Sequence, residues 1–330
     1  MKILFIGLGS IGQRHLQNAA GVFKNCDFYA YRKRGGSKVI KNTKILKKTT
    51  IQTYYKIKEV FKLKDAINIK PNITFICNPS SLHLDTAIIF AKNNSHIFIE
   101  KPLGTDLKKI KTLCKILKIK KLISMVGFQM RFHPAILSIK KIINENKYGK
   151  ILSGKFLNLT YLPNHHTYED YKLSYASNKS LGGGALTSLV HEIDLIAYFF
   201  GIPKKTLKYS FNDSSIKTVA DNNFVGLFHY KKNNFFYNIA LELSFSSKLE
   251  NRVFEINFEK KKLKMNLNTN ILTIYSNTSS KKITKKFKIN RNDLFSKELR
   301  SFKESILKKK DPNTSVSKNY NTDLLLSKCL

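Results

Sequence analysis

The chain has 330 residues, 42% of them hydrophobic and 25% charged, and a net charge of +37. This length suits two domains that bury cores of their own without disulfide or metal staples, and the composition excludes wholesale disorder. The charge points either to a polyanion partner or to the solvated lysine faces that an AT-rich genome writes; arginine, whose fork reads phosphates and bases, stands only at 14, 32, 34, 131, 252, 291 and 300, so no specific nucleic-acid contact is expected.

The first third alternates strand and helix signals. Ile3 to Ile6 is a continuous apolar run, as in a parallel strand buried on both faces. Ser10 to Ala20 reads as a helix with Ile11, Leu16 and Ala19 inward, and Phe28 to Tyr31 as a second strand. Gly35 to Lys56 is basic and weakly periodic. Ile73 to Cys77 is a third strand, His83 to Lys92 a helix closed by Asn93-Asn94, and Ile97 to Ile99 a strand. Thr105 is expected to cap a helix carrying Leu107, Ile110, Leu113, Cys114 and Leu117, and Leu122 to Val126 closes the series. Alternation of this kind predicts a parallel sheet with helices on both faces over residues 1–126.

Residues 127–330 read differently. A helix over Pro134 to Asn144 precedes a long strand, Ile151 to Tyr161. One helix is expected from Ala185 to Phe200, stopped by Gly201. Strands then follow in series: Leu207–Phe211, Phe224–Tyr230, Phe235–Phe245, Val253–Phe258, Leu263–Leu267, Ile271–Tyr275 and Ile283–Phe287. Such close spacing predicts an antiparallel meander. A helix from Asp293 to Lys308 and a short one after Asp323 end the chain. The fold class is α/β, a parallel-sheet domain followed by an α/β domain with an open, mostly antiparallel sheet. Functional residues are expected where two such domains share an interface. Apolar residues on alternate strand positions, with no second helical layer to cover them, predict a homodimer or homotetramer.

Cys26, Cys77, Cys114 and Cys329 have no metal-ligand or CxxC spacing, which fits a reducing cytoplasm. No apolar run approaches the roughly 20 residues of a membrane span. Met1-Lys2 runs directly into ILFIGLG, too short and glycine-broken for a signal peptide.

Gly7-Leu8-Gly9-Ser10-Ile11-Gly12 carries the sharpest chemistry. It follows a strand and opens a helix. There Gly7 permits the tight turn, Gly9 lets a pyrophosphate approach the backbone, and Gly12 lets helix and strand pack closely. The N–H groups of Ser10, Ile11 and their neighbours face the phosphates at the positive end of the helix dipole. The acid expected at the end of the second strand is replaced by Tyr31-Arg32-Lys33-Arg34, and Arg32 favours the 2′-phosphate of NADP over the ribose of NAD. Asn78, Pro79 and His83 follow the third strand, and Glu100-Lys101-Pro102 follows the fourth, both at the end where open sheets bind ligands. His165, His166 and Glu169 invite a metal reading, but further ligands at suitable spacing are lacking, so no metal is expected and sugar contact through His166 is preferred.

GLGSIGQRH, CNPSSLH, EKPLG and GFQMRFHPA, in this order, resemble the Gfo/Idh/MocA oxidoreductases. The likeness continues through YLPNHHTYEDYKLSYASNKSLGGGALTSLVHEIDLIAYFFG, Tyr161 to Gly201. It implies a Rossmann domain, an α/β substrate domain, and hydride transfer between NAD(P) and a carbon of a sugar or sugar derivative, nucleotide-linked or acidic sugars of surface glycans among them. It implies that Lys101 contacts the reacting hydroxyl and that His191 carries its proton. Asn78, Pro79, His83, Glu100 and Lys101 match the cofactor side, Gln129 and Arg131 match the segment leading out of the Rossmann domain, and of these two Gln129 is expected at the cofactor and Arg131 at the substrate. Many members carry an aspartate three or four residues before this histidine. Here Thr187 and Ser188 stand there, beside the substrate in the family pattern. Three readings follow: Lys101 and His191 suffice, Glu192 or Asp194 replaces the missing acid, or the chain binds without efficient turnover. The last joins the alternative of a non-catalytic dinucleotide- or polyanion-binding protein.

Overall fold

The computed structural model describes residues 1–33, 38–41, 44–46 and 49–330. Arg34 and part of the basic stretch after it lie outside the described residues. By contacts the chain forms two units. The first comprises Met1–Gln129, His166–Glu169 and Asn292–Asp323; the second comprises Met130–His165, Asp170–Arg291 and Leu324–Leu330. Among the described residues, no helix is long and apolar enough to cross a membrane.

The first unit runs β1 (Lys2–Ile6), α1 (Ser10–Val22), β2 (Asp27–Tyr31), a small hairpin of β3 (Val39–Lys41) and β4 (Lys44–Leu46), α2 (Ile51–Tyr55), β5 (Lys58–Val60), α3 (Leu63–Asn68), β6 (Ile73–Ile76), α4 (His83–Lys92), β7 (His96–Ile99), α5 (Leu107–Ile119) and β8 (Ser124–Val126). Strands β5-β2-β1-β6-β7-β8 form one sheet with every pair parallel. The strand order reverses between β1 and β6, and ligands of such sheets bind outside the carboxyl ends at that reversal. The apolar runs are buried as expected: Ile3, Leu4 and Phe5 are fully enclosed, as are Ile73, Phe75 and Ile76. Phe5 stacks on Phe75 at 4.6 Å and Phe75 on Phe98 at 5.0 Å. A late helix, α9 (Arg291–Lys308), joins this core through Phe302, 5.8 Å from Phe98. The cap of α5 is Asp106, not Thr105: its carboxylate accepts from the N–H groups of Lys108 and Lys109. A carboxylate serves two donors at once and also meets the positive end of the dipole.

The second unit contains α6 (Pro134–Asn144), β9 (Ile151–Tyr161), α7 (Ala185–Ser188), α8 (His191–Phe200) and seven further strands. These are β10 (Lys205–Phe211), β11 (Asn223–Lys232), β12 (Phe235–Ser244), β13 (Ser246–Phe258), β14 (Lys261–Asn266), β15 (Ile271–Ser276) and β16 (Lys282–Lys286). The last helix, α10, spans Tyr320–Cys329. The sheet order is β10-β11-β12-β9-β13-β14-β15-β16. Here the expected meander needs correction: β12 and β13 do not pair, because β9 lies between them, parallel to β12 and antiparallel to β13. Two features of β9 favour that central place. Gly154 admits Ile239 of β12 so closely that a Cβ would stand 2.8 Å from its methyl. Phe156 stacks on Phe254 of β13 at 4.8 Å, with Phe199 of α8 against the pair.

The helix expected over 185–200 is two helices. The N–H of Leu189 bonds back to Ala185, and a new ladder begins with Asp194 on Val190. His191 therefore starts a helix instead of sitting within one.

Candidate active site

In the first unit, the sequence-singled residues gather at the carboxyl ends of the parallel strands. Gly7 has φ +87°, and a Cβ there would stand 2.9 Å from the carbonyl of Cys77. A Cβ on Gly12 would stand 2.3 Å from the carbonyl of Gly7. The turn therefore presses α1 onto β1 and β6 at a distance only glycine allows. A Cβ on Gly9 would meet nothing within 4 Å. Gly9 also caps α1 without a side-chain hydrogen bond, and the first ladder bond comes only at Gln13 N–H to Gly9 carbonyl. The N–H groups of Ser10, Ile11 and Gly12 thus precede the helix's own ladder.

Asn78 follows β6. Its Nδ2 donates to Thr86 Oγ1 at 3.1 Å. Its Oδ1 is buried without a hydrogen-bond partner among the described residues. Pro79 leads into a short turn of helix, and His83 opens α4 fully buried. His83 bridges the two strand ends: Nδ1 lies 2.7 Å from the Pro102 carbonyl and Nε2 2.9 Å from that of Asn78. Burial pushes its pKa down against those carbonyls. Lys101 is half-buried and Gln129 buried.

Glu100 is enclosed. Its Oε1 lies 2.5 Å from His15 Nε2 of α1, and its Oε2 accepts from the Lys101 N–H at 3.1 Å. Its carboxylate serves the protein's own groups, fastening α1 to the end of β7. Arg32 donates to Glu59 of β5. His166 falls in the first unit beside Tyr168, whose hydroxyl hydrogen-bonds Ser10.

In the second unit, His191 is buried in the first turn of α8. Thr187 is buried too, its hydroxyl donating to the Gly184 carbonyl at 3.3 Å, and Ser188 ends α7. Both nearby acids are engaged by arginines. Asp194 receives both arms of Arg131, Nε at 3.0 Å and Nη2 at 2.6 Å. Glu192 receives Arg252 Nε at 2.6 Å and Asn158 Nδ2 at 2.9 Å. Arg131 is buried, and its guanidinium also lies 4.7 Å from the Tyr198 ring centre.

The sequence reading missed Gln13, His15, Glu59, Tyr168 and Arg252. Gln13 clamps the glycine turn: its amide donates to the carbonyls of Leu8 and Lys38, and its Oε1 accepts from Ile40. Polar residues at 13 and 15, within a helix that follows the glycine turn, were the available signal for two of these.

The pH behaviour of Glu100 follows from its setting. Burial raises its pKa, but the hydrogen bond from His15 and the charges of His15, Lys101 and His83 outweigh it, leaving the carboxyl below its ordinary value. A depressed carboxyl stabilises the fold above the unfolded range near about 4.3 and loses that contribution as pH falls through the folded value. Glu100→Gln should therefore cost about 1–3 kcal/mol at neutral pH and flatten the acid limb of thermal melts between about pH 5 and 3. An acid limb as steep as that of the unaltered protein would show that the carboxylate carries no such linkage.

Comparison with known proteins agrees with this architecture. Residues 1–128 match the model of an oxidoreductase family with an NAD-binding Rossmann fold, and residues 140–325 match its C-terminal alpha/beta domain. Levoglucosan dehydrogenase of Pseudarthrobacter phenanthrenivorans is 35% identical over 132 residues, covering 39% of this chain and 33% of the relative. Inositol 2-dehydrogenase of Rhizobium meliloti is 33% identical over 76 residues, 23% of each chain. The chain thus matches about a third or less of the length of these curated relatives. A solved levoglucosan dehydrogenase in complex with NADH superposes with a TM-score of 0.80 at 19% identity, covering 99% of this chain and 95% of the other. UDP-N-acetylglucosamine 3-dehydrogenase from Acidithiobacillus ferrooxidans superposes with a TM-score of 0.75 at 15% identity, covering 100% and 96%. With both family models matched along most of its length, the chain belongs to the Gfo/Idh/MocA oxidoreductase family.

Proposed function

We propose that the protein is an NAD(P)-dependent dehydrogenase or reductase acting on a CH–OH carbon of a sugar or sugar derivative. One observation carries the reading. The open space over Gly9 lies at the uncapped start of α1, in a unit where the buried, unpartnered Oδ1 of Asn78 follows the neighbouring strand β6. A nicotinamide dinucleotide fits these groups: its pyrophosphate suits the helix start, and a donor on it would answer Asn78. When bound, it supplies the hydride acceptor or donor. The choice between NAD and NADP turns on the charged groups at the end of β2, Arg32 among them.

The chain's own residues supply the rest. Lys101 holds the reacting hydroxyl with an ammonium N–H. His191 takes the hydroxyl proton as the hydride leaves, or returns it in the reverse direction, since imidazole titrates in the useful range. Asp194 and Glu192 are engaged by arginines, and the proposal assigns the hydroxyl proton to His191 and no step to either acid. The named relatives act on levoglucosan and inositol. A sugar or cyclitol is therefore the first substrate class to screen, with nucleotide-linked and acidic sugars of surface glycans next. The four free cysteines support a cytoplasmic setting.

Gly9→Val should abolish the fluorescence enhancement of bound reduced nicotinamide with little change in the thermal melt. Unaltered nucleotide affinity would remove the basis of the reading. Lys101→Met and His191→Asn should each lower turnover by about 100- to 10,000-fold and leave nucleotide affinity intact, with the double variant little worse than either. Near-native turnover in His191→Asn would make the histidine structural. Nucleotide binding with no turnover on any sugar would favour the non-catalytic alternative.

We also propose that the outer sheet face joins copies of the chain. Leu207 pairs with Leu227 and Tyr209 with Val225 across β10 and β11, and all four side chains are exposed. Contiguous apolar surface of this kind is uncommon on monomers. Light scattering should give a dimer or tetramer mass, and Leu227→Lys should lower it. A monomer mass for the unaltered protein would contradict the proposal.

A further inference from the structure

Strand β2 ends on Arg32, where dinucleotide-binding sheets commonly carry an acid that accepts from the adenosine ribose. In this chain an acid arrives at that place from the neighbouring strand. β5 lies parallel to β2 with Glu59 opposite Ala30 and Val60 opposite Tyr31. The Arg32 N–H continues the ladder to the Val60 carbonyl at 3.1 Å. Arg32 Nη1 donates to Glu59 Oε1 at 2.6 Å, and the two side chains are only 11% and 5% exposed. Gln52 of α2 donates to the other carboxylate oxygen at 2.5 Å. The Gly7 N–H donates to the Tyr31 carbonyl at 3.2 Å, so the end of β2, and with it this pair, stands beside the glycine turn.

We infer that Glu59 decides which dinucleotide the chain accepts, holding it to the form with a free adenosine 2′-hydroxyl; the inference rests on the dinucleotide reading above. Arg32 by itself favours a 2′-phosphate. Tied to Glu59, its charge is already answered, and a phosphate dianion brought there meets a carboxylate at close range. A ribose hydroxyl meets the opposite conditions. Each carboxylate oxygen accepts one hydrogen bond from Arg32 or Gln52 and keeps a second lone pair for a hydroxyl donor. Gln52 fixes the carboxylate's orientation, so the acid stays at the strand end when Arg32 moves.

Calorimetric titration of the full chain with NADH and NADPH tests this. The unaltered protein should bind NADH at least about tenfold more tightly than NADPH. Glu59→Gln should move that ratio toward NADPH by about tenfold or more, and adding Arg32→Gln to this variant should cancel the gain. Gln52→Ala, a change on an exposed helix, should move the ratio the same way by a smaller factor, which keeps the test decisive if Glu59→Gln fails to fold. A native preference for NADPH, or a ratio unchanged within about twofold in whichever of these variants folds, would overturn the role of Glu59. Binding of neither nucleotide by the unaltered protein would overturn the dinucleotide reading and this inference with it.

Discussion

The first unit depends on one contact, the approach of α1 to the ends of β1 and β6. No side chain fits at position 12, where a Cβ would stand 2.3 Å from the Gly7 carbonyl, and Gly7 itself sits at positive φ against Cys77. With the helix pressed down this far, its first N–H groups stand at the reversal of strand order. Three further ties hold it there: Gln13 to the backbone at Leu8, Lys38 and Ile40, His15 to Glu100, and Asn18 to Asn292 at the start of α9. The last adds a polar tie to the packing of Phe302 by which α9, distant in sequence, joins this unit. Polar groups buried this way must be paired, and each of these pairs helps to hold α1 in place.

Charge is arranged by the same rule around His191. The chain has few arginines, and two of them, Arg131 and Arg252, pair with the two acids that follow His191 on α8. An enclosed carboxylate without a partner would take up a proton or weaken the fold. With these partners, Asp194 and Glu192 hold the start of α8 in place, and the histidine stands beside carboxylates already engaged. Thr187 and Ser188 add no negative charge.

Much of this was legible in the sequence. The apolar runs of β1 and β6 and the three glycines set the parallel sheet and its turn, because burial on both faces and a missing Cβ leave plain marks. The motif residues at 78, 83, 100 and 101 follow strands and so fall at the sheet's carboxyl end. Less visible were features that depend on partners far along the chain. Strand β5 has only three residues, too few for a period, so Glu59 went unseen and Arg32 was read without its counter-charge. The insertion of β9 between β12 and β13 left no local signal, since strand pairing is decided by side-chain fit such as Gly154 against Ile239. The break between α7 and α8 fell inside a run of apolar residues whose spacing suits one helix as well as two.

The account's central claim is that the start of α1 and the strand ends beside it form a dinucleotide site. Amide hydrogen exchange of the full chain, with and without saturating reduced nicotinamide dinucleotide, tests it most directly. The account predicts slowed exchange confined mainly to residues 8–13 and 77–83 when nucleotide is added. Exchange unchanged in both segments at saturation, or slowed only elsewhere, would contradict it.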